Sequence, residues 1–323
     1  MPKIFITRPI PDMGINLLKE AGYEVMINDP AEDRPATREE LLENVKDTDA
    51  ILSVLTEKID SEIMDASPNL KIIANYAVGY DNIDLEEAKK RNIVVTNTPD
   101  VLTESVAEHT FSLMLALAHR VVEGDKFMRS GKYKAWGPKL LLGTNISGKT
   151  LGIIGLGRIG TSVAKHAVKG FGMKVLYNDL EPRKEFEDEF GAEFLENIDD
   201  IISRSDFISI HVPLLDSTRH LINEERLKAM KESAFLVNTS RGAIIDEGAL
   251  LKALKENWIK GAGIDVFENE PEIYPGLSDL SNIIVTPHIA SATTETRNKM
   301  SEIAAQNIIK VLSGEKAITP VLK

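Results

Sequence analysis

Short apolar runs alternate with amphipathic stretches along most of this chain, and the pattern changes character near residues 100 and 150. In the first hundred residues, the runs Lys3–Thr7, Glu24–Ile27, Ala50–Val54, Lys71–Tyr76 and Val94–Asn97 predict strands. Between them, apolar positions at the helical period predict helices over Gly14–Ala21, Arg38–Asn44, Ser61–Ala66 and Leu85–Arg91. Repeated βα units with short connections imply a parallel sheet covered on both faces. Thr98-Pro99-Asp100 interrupts the series, because proline disfavours helix in the residue before it. A long helix is expected next, from about Thr103 to Arg129 and ending near Gly131. Its apolar positions (Val106, Phe111, Leu113, Met114, Leu117) form a stripe wider than one domain face needs, which predicts contact with a second subunit.

A second alternating series starts at Thr150. Its strands are expected at Thr150–Gly155, Lys174–Tyr177, Phe207–Val212, Ala234–Thr239, Gly261–Val266 and Asn282–Thr286. One more helix, Thr293 to Leu312, follows His288, and a single helix cannot make a domain. It is therefore expected to pack back onto the first series. The chain is thus read as two parallel-sheet α/β domains. One is discontinuous (1–99 plus 290–323) and flavodoxin-like, and the other (100–289) is Rossmann-like. A cleft is expected between them, opening about the two crossings.

Bulk properties narrow the class. A length of 323 residues suits two domains better than one core. A net charge of −12 argues against nucleic acid or an anionic membrane as partner. With no cysteine, disulfides, thiolate metal sites and thiol nucleophiles are excluded, and a cytoplasmic location is expected. Lys3–Thr7 reads as a first strand rather than as part of a signal peptide. The most membrane-like stretch, Phe111–Ala118, is too short to span a bilayer.

The most specific local signal is Gly155-x-Gly157-x-x-Gly160, placed between a strand and a helix. A dinucleotide pyrophosphate needs that order: a tight turn at Gly155, close backbone approach at Gly157, and close helix–strand packing at Gly160. Helix N-terminal amides then face the anion. The next strand ends at Asp179, roughly 20 residues beyond the last glycine, where an acid can accept hydrogen bonds from the adenosine ribose hydroxyls. Three polar residues lie just past later strand ends: Arg241, Glu270 and His288. Arginine's planar fork suits a carboxylate. Histidine can give a proton to a developing alkoxide, and a carboxylate behind it fixes the ring. Together they form the set that reduces a 2-keto acid, although by type alone a loop arginine and a loop glutamate read equally well as solvated charges.

Four motifs in order carry a family resemblance: Gly155 to Gly160, Asn238-Thr239-Ser240-Arg241-Gly242, Asp265-Val266-Phe267-Glu268-Asn269-Glu270-Pro271 and Thr286-Pro287-His288-Ile289-Ala290-Ser291. With Ala77-Val78-Gly79-Tyr80-Asp81-Asn82-Ile83-Asp84, they resemble the D-isomer-specific 2-hydroxyacid dehydrogenases over essentially the whole chain. The resemblance implies an NAD-dependent oxidoreductase in which Arg241 binds substrate, Glu270 orients His288, and His288 is the acid/base. It implies that backbone amides of Val78 and Gly79 hold the substrate carboxylate, and that Arg158 and Ile159 lie against the pyrophosphate. Thr239, Asp265 and Ser291 would line the nicotinamide end. Trp136 would reach a partner subunit's site, as in the glyoxylate and hydroxypyruvate reductases of the family. Glyoxylate or hydroxypyruvate is the expected substrate and NADH the expected cofactor, with NADP admitted because Arg183 and Lys184 lie near Asp179. A homodimer is expected. Two alternatives stay open: a short 3-phosphoglycerate dehydrogenase, and a dinucleotide-sensing scaffold like the superfamily's corepressors.

Other patterns are read as decoys. Gly143 to Thr150 spells a phosphate-binding loop, but that chemistry needs a strand before it and a helix after it, and here the order is reversed. His109, His119, His166 and His220 are assigned surface or packing roles, and no metal site is expected. His211 reads as a satisfied strand-end histidine. Asp246 is expected to cap a helix. The acidic runs Glu185–Glu189 and Asp199–Asp200 read as solvated faces.

Overall fold

The computed structural model describes residues 1–29 and 34–321, and the chain forms two compact units, Met1–Leu102 with Ala292–Lys323 and Thr103–Ser291.

The first unit runs β1 (Lys3–Ile6), α1 (Asp12–Glu20), β2 (Glu24–Ile27), α2 (Arg38–Asn44), β3 (Ala50–Ser53), α3 (Ser61–Ala66), β4 (Ile72–Asn75), α4 (Leu85–Lys90) and β5 (Val94–Thr96). All five strands pair in parallel, in the order β2-β1-β3-β4-β5. Short polar side chains start the helices: Thr37 forms a reciprocal capping box with Glu40, while Asp60 and Asp84 accept amides of α3 and α4. Phe5, Ile51, Ile73 and Val95 meet Ile63, Met64 and Ala88 in one core.

The second unit opens with α5 (Thr103–Ala118) and α6 (Val121–Arg129). It continues β6 (Thr150–Ile154), α7 (Arg158–Phe171), β7 (Lys174–Asn178), α8 (Lys184–Phe190), β8 (Glu193–Phe194), α9 (Ile198–Arg204) and β9 (Phe207–Ile210). After these come α10 (Glu224–Ala229), β10 (Phe235–Asn238), α11 (Glu247–Lys255), β11 (Gly261–Ile264) and β12 (Ile283–Val285). The seven strands are parallel in the order β12-β11-β10-β9-β6-β7-β8, so the strand order reverses between β6 and β9. The strands are apolar on both faces because each face is covered. Leu151, Ile153, Val175, Phe207, Phe235 and Val237 enter one core. Ile154, Leu176, Ile208, Ile210, Leu236 and Ile264 enter the other.

The helix expected over Thr103–Arg129 is two helices, because Arg120 takes a left-handed conformation (φ 55°) between them. The expected spare stripe is not spare. Phe111, Leu113, Met114 and Leu117 are buried against the sheet of their own unit, and a Cβ on Gly263 would lie 3.1 Å from that of Leu113. Exposed apolar side chains lie instead on α6 and the segment after it: Val121, Met128, Tyr133, Trp136 and Leu142.

The last helix, α12 (Thr294–Leu312), belongs to the first unit and packs on α1. Gly14 makes that approach possible: a Cβ there would meet the Ser301 carbonyl oxygen at 2.2 Å. Its amide donates to Ser301 Oγ, which in turn donates to the Pro11 carbonyl. Beyond α12 the chain returns to β5, with Thr96 bridging Pro320 and the Val321 amide donating to Val95 O. Among the described residues no helix is long and apolar enough to cross a membrane.

Candidate active site

In the second unit, β6 ends at the point where the strand order reverses, the place where open parallel sheets bind ligands. Gly155 there has φ 94°, and its amide donates to Asn178 O. A Cβ on Gly160 would strike Gly155 O at 2.1 Å, so helix and turn meet only because that side chain is absent. Gly157 differs: nothing lies within 4 Å of where its Cβ would be. It is the N-cap of α7, supplies no capping side chain, and is itself only half-buried. Backbone laid bare in front of a helix N-terminus fits a pyrophosphate. Asp179, past the end of β7, accepts the amides of Leu156 and Leu180 at 3.0 and 2.7 Å, and Arg183 stands 3.6 Å from its carboxylate. The acid therefore ties the glycine turn to the end of β7.

Arg241, Glu270 and His288 follow β10, β11 and β12, three neighbouring strands, at their carboxyl ends. His288 Nδ1 lies 2.9 Å from Glu270 Oε2, and both side chains are about one quarter exposed. The other oxygen, Glu270 Oε1, accepts the Phe267 amide at 3.0 Å. Glu270 is thus anchored by its own loop before it meets the ring. With Nδ1 donating to this carboxylate, Nε2 is left to exchange a proton. His288 sits at φ 53°, a left-handed conformation unusual for a side chain of this size. The turn is held by its own amide to Asp265 O (2.8 Å) and by the Ile289 and Ala290 amides to the Asp265 carboxylate (2.9 and 2.8 Å).

Asp265 is fully buried, which pushes its carboxyl up. Hydrogen bonds from His109, Thr286 and those two amides outweigh burial and hold its pKa below the ordinary carboxylate value. Thr239 is buried at the end of the neighbouring strand β10, where its hydroxyl meets Thr110 Oγ1 at 3.0 Å. Arg241 has an extended backbone; its Nη1 donates to Ser240 O, and its carbonyl accepts Asn238 Nδ2. Behind it, a Cβ on Gly242 would lie 1.9 Å from the Phe267 carbonyl carbon. The arginine turn and the glutamate loop therefore touch backbone to backbone. Ser291 is half-buried and ends the His288 turn.

The remaining candidates lie elsewhere. Trp136 is 79% exposed in a stretch without regular structure. Val78 and Gly79 belong to the first unit, in the turn after β4. The carbonyls of that turn are all engaged: Ala77 O by the Thr98 amide, Val78 O by Asn97 Nδ2, and Gly79 O by Asn75 Nδ2, each at 2.8 Å. Among the described residues, neither the Val78 nor the Gly79 amide has a protein acceptor.

Several supporting residues escape a reading of the sequence. His109 approaches Thr286 Oγ1 at 3.2 Å, His166 pairs with Glu104, and His220 pairs with Glu268. Glu247, in the first turn of α11, is buried and accepts the Glu268 amide at 2.9 Å. Burial, opposed by that amide and reinforced by the charges of Glu268 and Glu270, pushes its carboxyl up. Desolvation drives His211 down to about 3, a neutral ring that meets Ser209 Oγ. Asp246 caps α11 through the Ala249 amide, as its position in the sequence suggests.

Comparison with known proteins agrees with this architecture. The family model described as D-isomer specific 2-hydroxyacid dehydrogenase, NAD binding domain, matches residues 111–290. A glyoxylate reductase of Pyrococcus furiosus is 52% identical, over 99% of this chain and 95% of its own. A crystal structure of a Thermus thermophilus protein superposes with a TM-score of 0.93 at 42% identity, covering 99% of this chain and 100% of that one. An NADPH-dependent glyoxylate/hydroxypyruvate reductase of Sinorhizobium meliloti, solved with NADP and malonate, gives 0.86 at 34% identity, covering 99% and 97%. A Rossmann sheet that bares its glycine turn, and a family match spanning that sheet, lead to one conclusion: the chain belongs to the D-isomer-specific 2-hydroxyacid dehydrogenases, oxidoreductases acting on the CH–OH group of hydroxy acids.

Proposed function

We propose that the protein reduces a small 2-keto acid, glyoxylate or hydroxypyruvate, to the D-2-hydroxy acid with NADH, and that it works as a homodimer. The observation that carries the reading is the His288–Glu270 pair, anchored at Nδ1 and held in a strained turn with Nε2 left for substrate. A dinucleotide held at the glycine turn would supply the hydride for the carbonyl carbon. His288 Nε2 gives its proton to the carbonyl oxygen as charge develops there, and Glu270 keeps the ring oriented. The Arg241 guanidinium holds the substrate's carboxylate side and polarises the carbonyl. The free amides of Val78 and Gly79 take the carboxylate itself.

Thr239, Asp265 and Ser291 serve the nicotinamide end, and Gly155, Gly157, Arg158, Ile159 and Gly160 the pyrophosphate. Asp179 repels a 2′-phosphate and so favours NADH, while Arg183 at 3.6 Å makes the preference moderate. The glyoxylate reductase at 52% identity supports the choice of substrate. A second copy covers the apolar side chains of α6 and the segment to Leu142, and Trp136 then serves the partner's site.

The test is a panel of keto acids, including 3-phosphohydroxypyruvate, with NADH and NADPH, following loss of the reduced cofactor's absorbance. Glyoxylate or hydroxypyruvate with NADH is expected to give the highest kcat/KM. His288→Ala is expected to lower turnover by about 10² to 10⁴ while NADH still binds. A protein that binds NADH yet reduces no keto acid would be the dinucleotide-sensing scaffold instead. Preference for 3-phosphohydroxypyruvate would identify the phosphoglycerate branch.

A further inference from the structure

We infer that the segment after α12 sets the carboxylate-binding turn of the first unit, and that Asn97 and Thr319 are positioning residues for keto-acid binding. The inference rests on the reading, above, of Val78 and Gly79 as the carboxylate's donors. A turn that recognises an anion through main-chain amides has no side chain to aim. Its donors point where the peptide planes point, and in a planar trans peptide the N–H is directed opposite to the C=O. The Val78 amide shares its plane with the Ala77 carbonyl, and the Gly79 amide shares its plane with the Val78 carbonyl. Those two carbonyls are the ones taken by the Thr98 amide and by Asn97 Nδ2. Adjacent donors at residues 97 and 98 therefore turn both free amides away from themselves, to the same side.

Residues 97 and 98 lie beyond the end of β5 and need a support of their own. Thr319 provides it. Its carbonyl accepts the Asn97 amide at 3.3 Å, and its hydroxyl donates to the Asn97 carbonyl at 2.6 Å. Thr319 is gripped in turn by Asn307, a fully buried residue of α12. Asn307 Oδ1 accepts the amides of Ile318 and Thr319 at 2.8 and 3.0 Å, and its Nδ2 meets Thr319 Oγ1 at 2.8 Å. The Val321 amide closes the strap on Val95 O. A continuous hydrogen-bonded path thus runs from α12 through Thr319 and Asn97 to the peptide that carries the Gly79 amide.

The test compares Asn97→Asp, Thr319→Val and Thr319→Ser with the wild type for glyoxylate KM, kcat, NADH affinity, and inhibition by oxalate. Asn97→Asp puts an acceptor against the Val78 carbonyl. Thr319→Val removes the hydroxyl's bond to the Asn97 carbonyl and leaves the backbone bond, and Thr319→Ser keeps both. Both Asn97→Asp and Thr319→Val are expected to raise the glyoxylate KM and the oxalate inhibition constant together, by about 3- to 10-fold. Turnover at saturation and NADH affinity should stay near wild type, and Thr319→Ser should behave as wild type. A generally loosened fold would instead lower kcat and the melting temperature without this split. If Asn97→Asp does not fold, the half-buried Thr319 carries the comparison alone. Folded variants with unchanged KM and inhibition constants, beside a wild type that binds both ligands, overturn the inference alone. A wild type that binds neither ligand overturns the reading of the turn, and this inference with it.

Discussion

Glu247 is a buried acid that braces the loop carrying Glu270. Its buried carboxyl receives the Glu268 amide and lies in the field of Glu268 and Glu270, so the folded state disfavours its charge. An acid whose folded pKa exceeds its unfolded value costs stability once the pH rises past the unfolded value. Glutamine keeps an acceptor for the amide and drops the charge. Glu247→Gln is therefore expected to raise the melting temperature at pH 8, with the gain vanishing as the pH falls into the ordinary carboxylate range. A gain that is absent at pH 8, or constant with pH, would rule out this account. Arg241, Glu270 and His288 can be singled out from sequence because their residue types stand next to strand ends. Glu247, His109 and Asn97 cannot, because what matters about them is a partner 21, 177 or 19 positions away. Pairing at that range becomes visible only after the chain folds.

At the level of elements, strands and glycine turns are legible in the sequence and some helices are not. The strands of both sheets fall within about two residues of their expected bounds, apart from the two-residue edge strand β8, which is too short to carry a periodicity. Acidic runs at Glu185–Glu189 and Asp199–Asp200 hide α8 and α9, whose buried sides rest on few apolar residues, Phe186 and Phe190 in one and Ile201 and Ile202 in the other. The α5–α6 stretch misleads differently. Its apolar positions read as one stripe, but Arg120 breaks the helix, so the first part faces its own sheet and the second is left outside. Val121, Met128, Trp136 and Leu142 are each more than half exposed, a concentration of apolar surface that suits an interface between copies. Light scattering at micromolar concentration should find a dimer, and Val121→Glu combined with Met128→Glu should yield monomers of the same fold with reduced keto-acid turnover. A fully active wild-type monomer would remove both the dimer and the role of Trp136 in a partner's site.

For the molecule as a whole, two α/β units and the return of the last helix to the first are readable from the alternation alone, whereas the strap beyond α12 is not. Nothing in residues 318–321 departs from an ordinary tail until their bonds to Asn307 and Asn97 are seen. The discontinuity of the first unit has a consequence in time. Gly14 and its partner Ser301 are separated by 287 positions, and α1 buries Ile15 and Leu18 beside that contact. At about 5–20 residues per second, a ribosome needs on the order of 15–60 s to deliver the partner. The second unit, continuous from Thr103 to Ser291, is complete before then. The usual order of emergence and closure is therefore inverted: the part made first waits, and the part made second closes first. Ribosome-bound chains halted after the second unit has emerged should resist protease across residues 103–291 while residues 1–102 are still cut, and early resistance of the N-terminal stretch would contradict this order. Until α12 emerges, the face of α1 that awaits Ser301 is the nascent protein's exposed hydrophobic flank, and so the natural target for a chaperone.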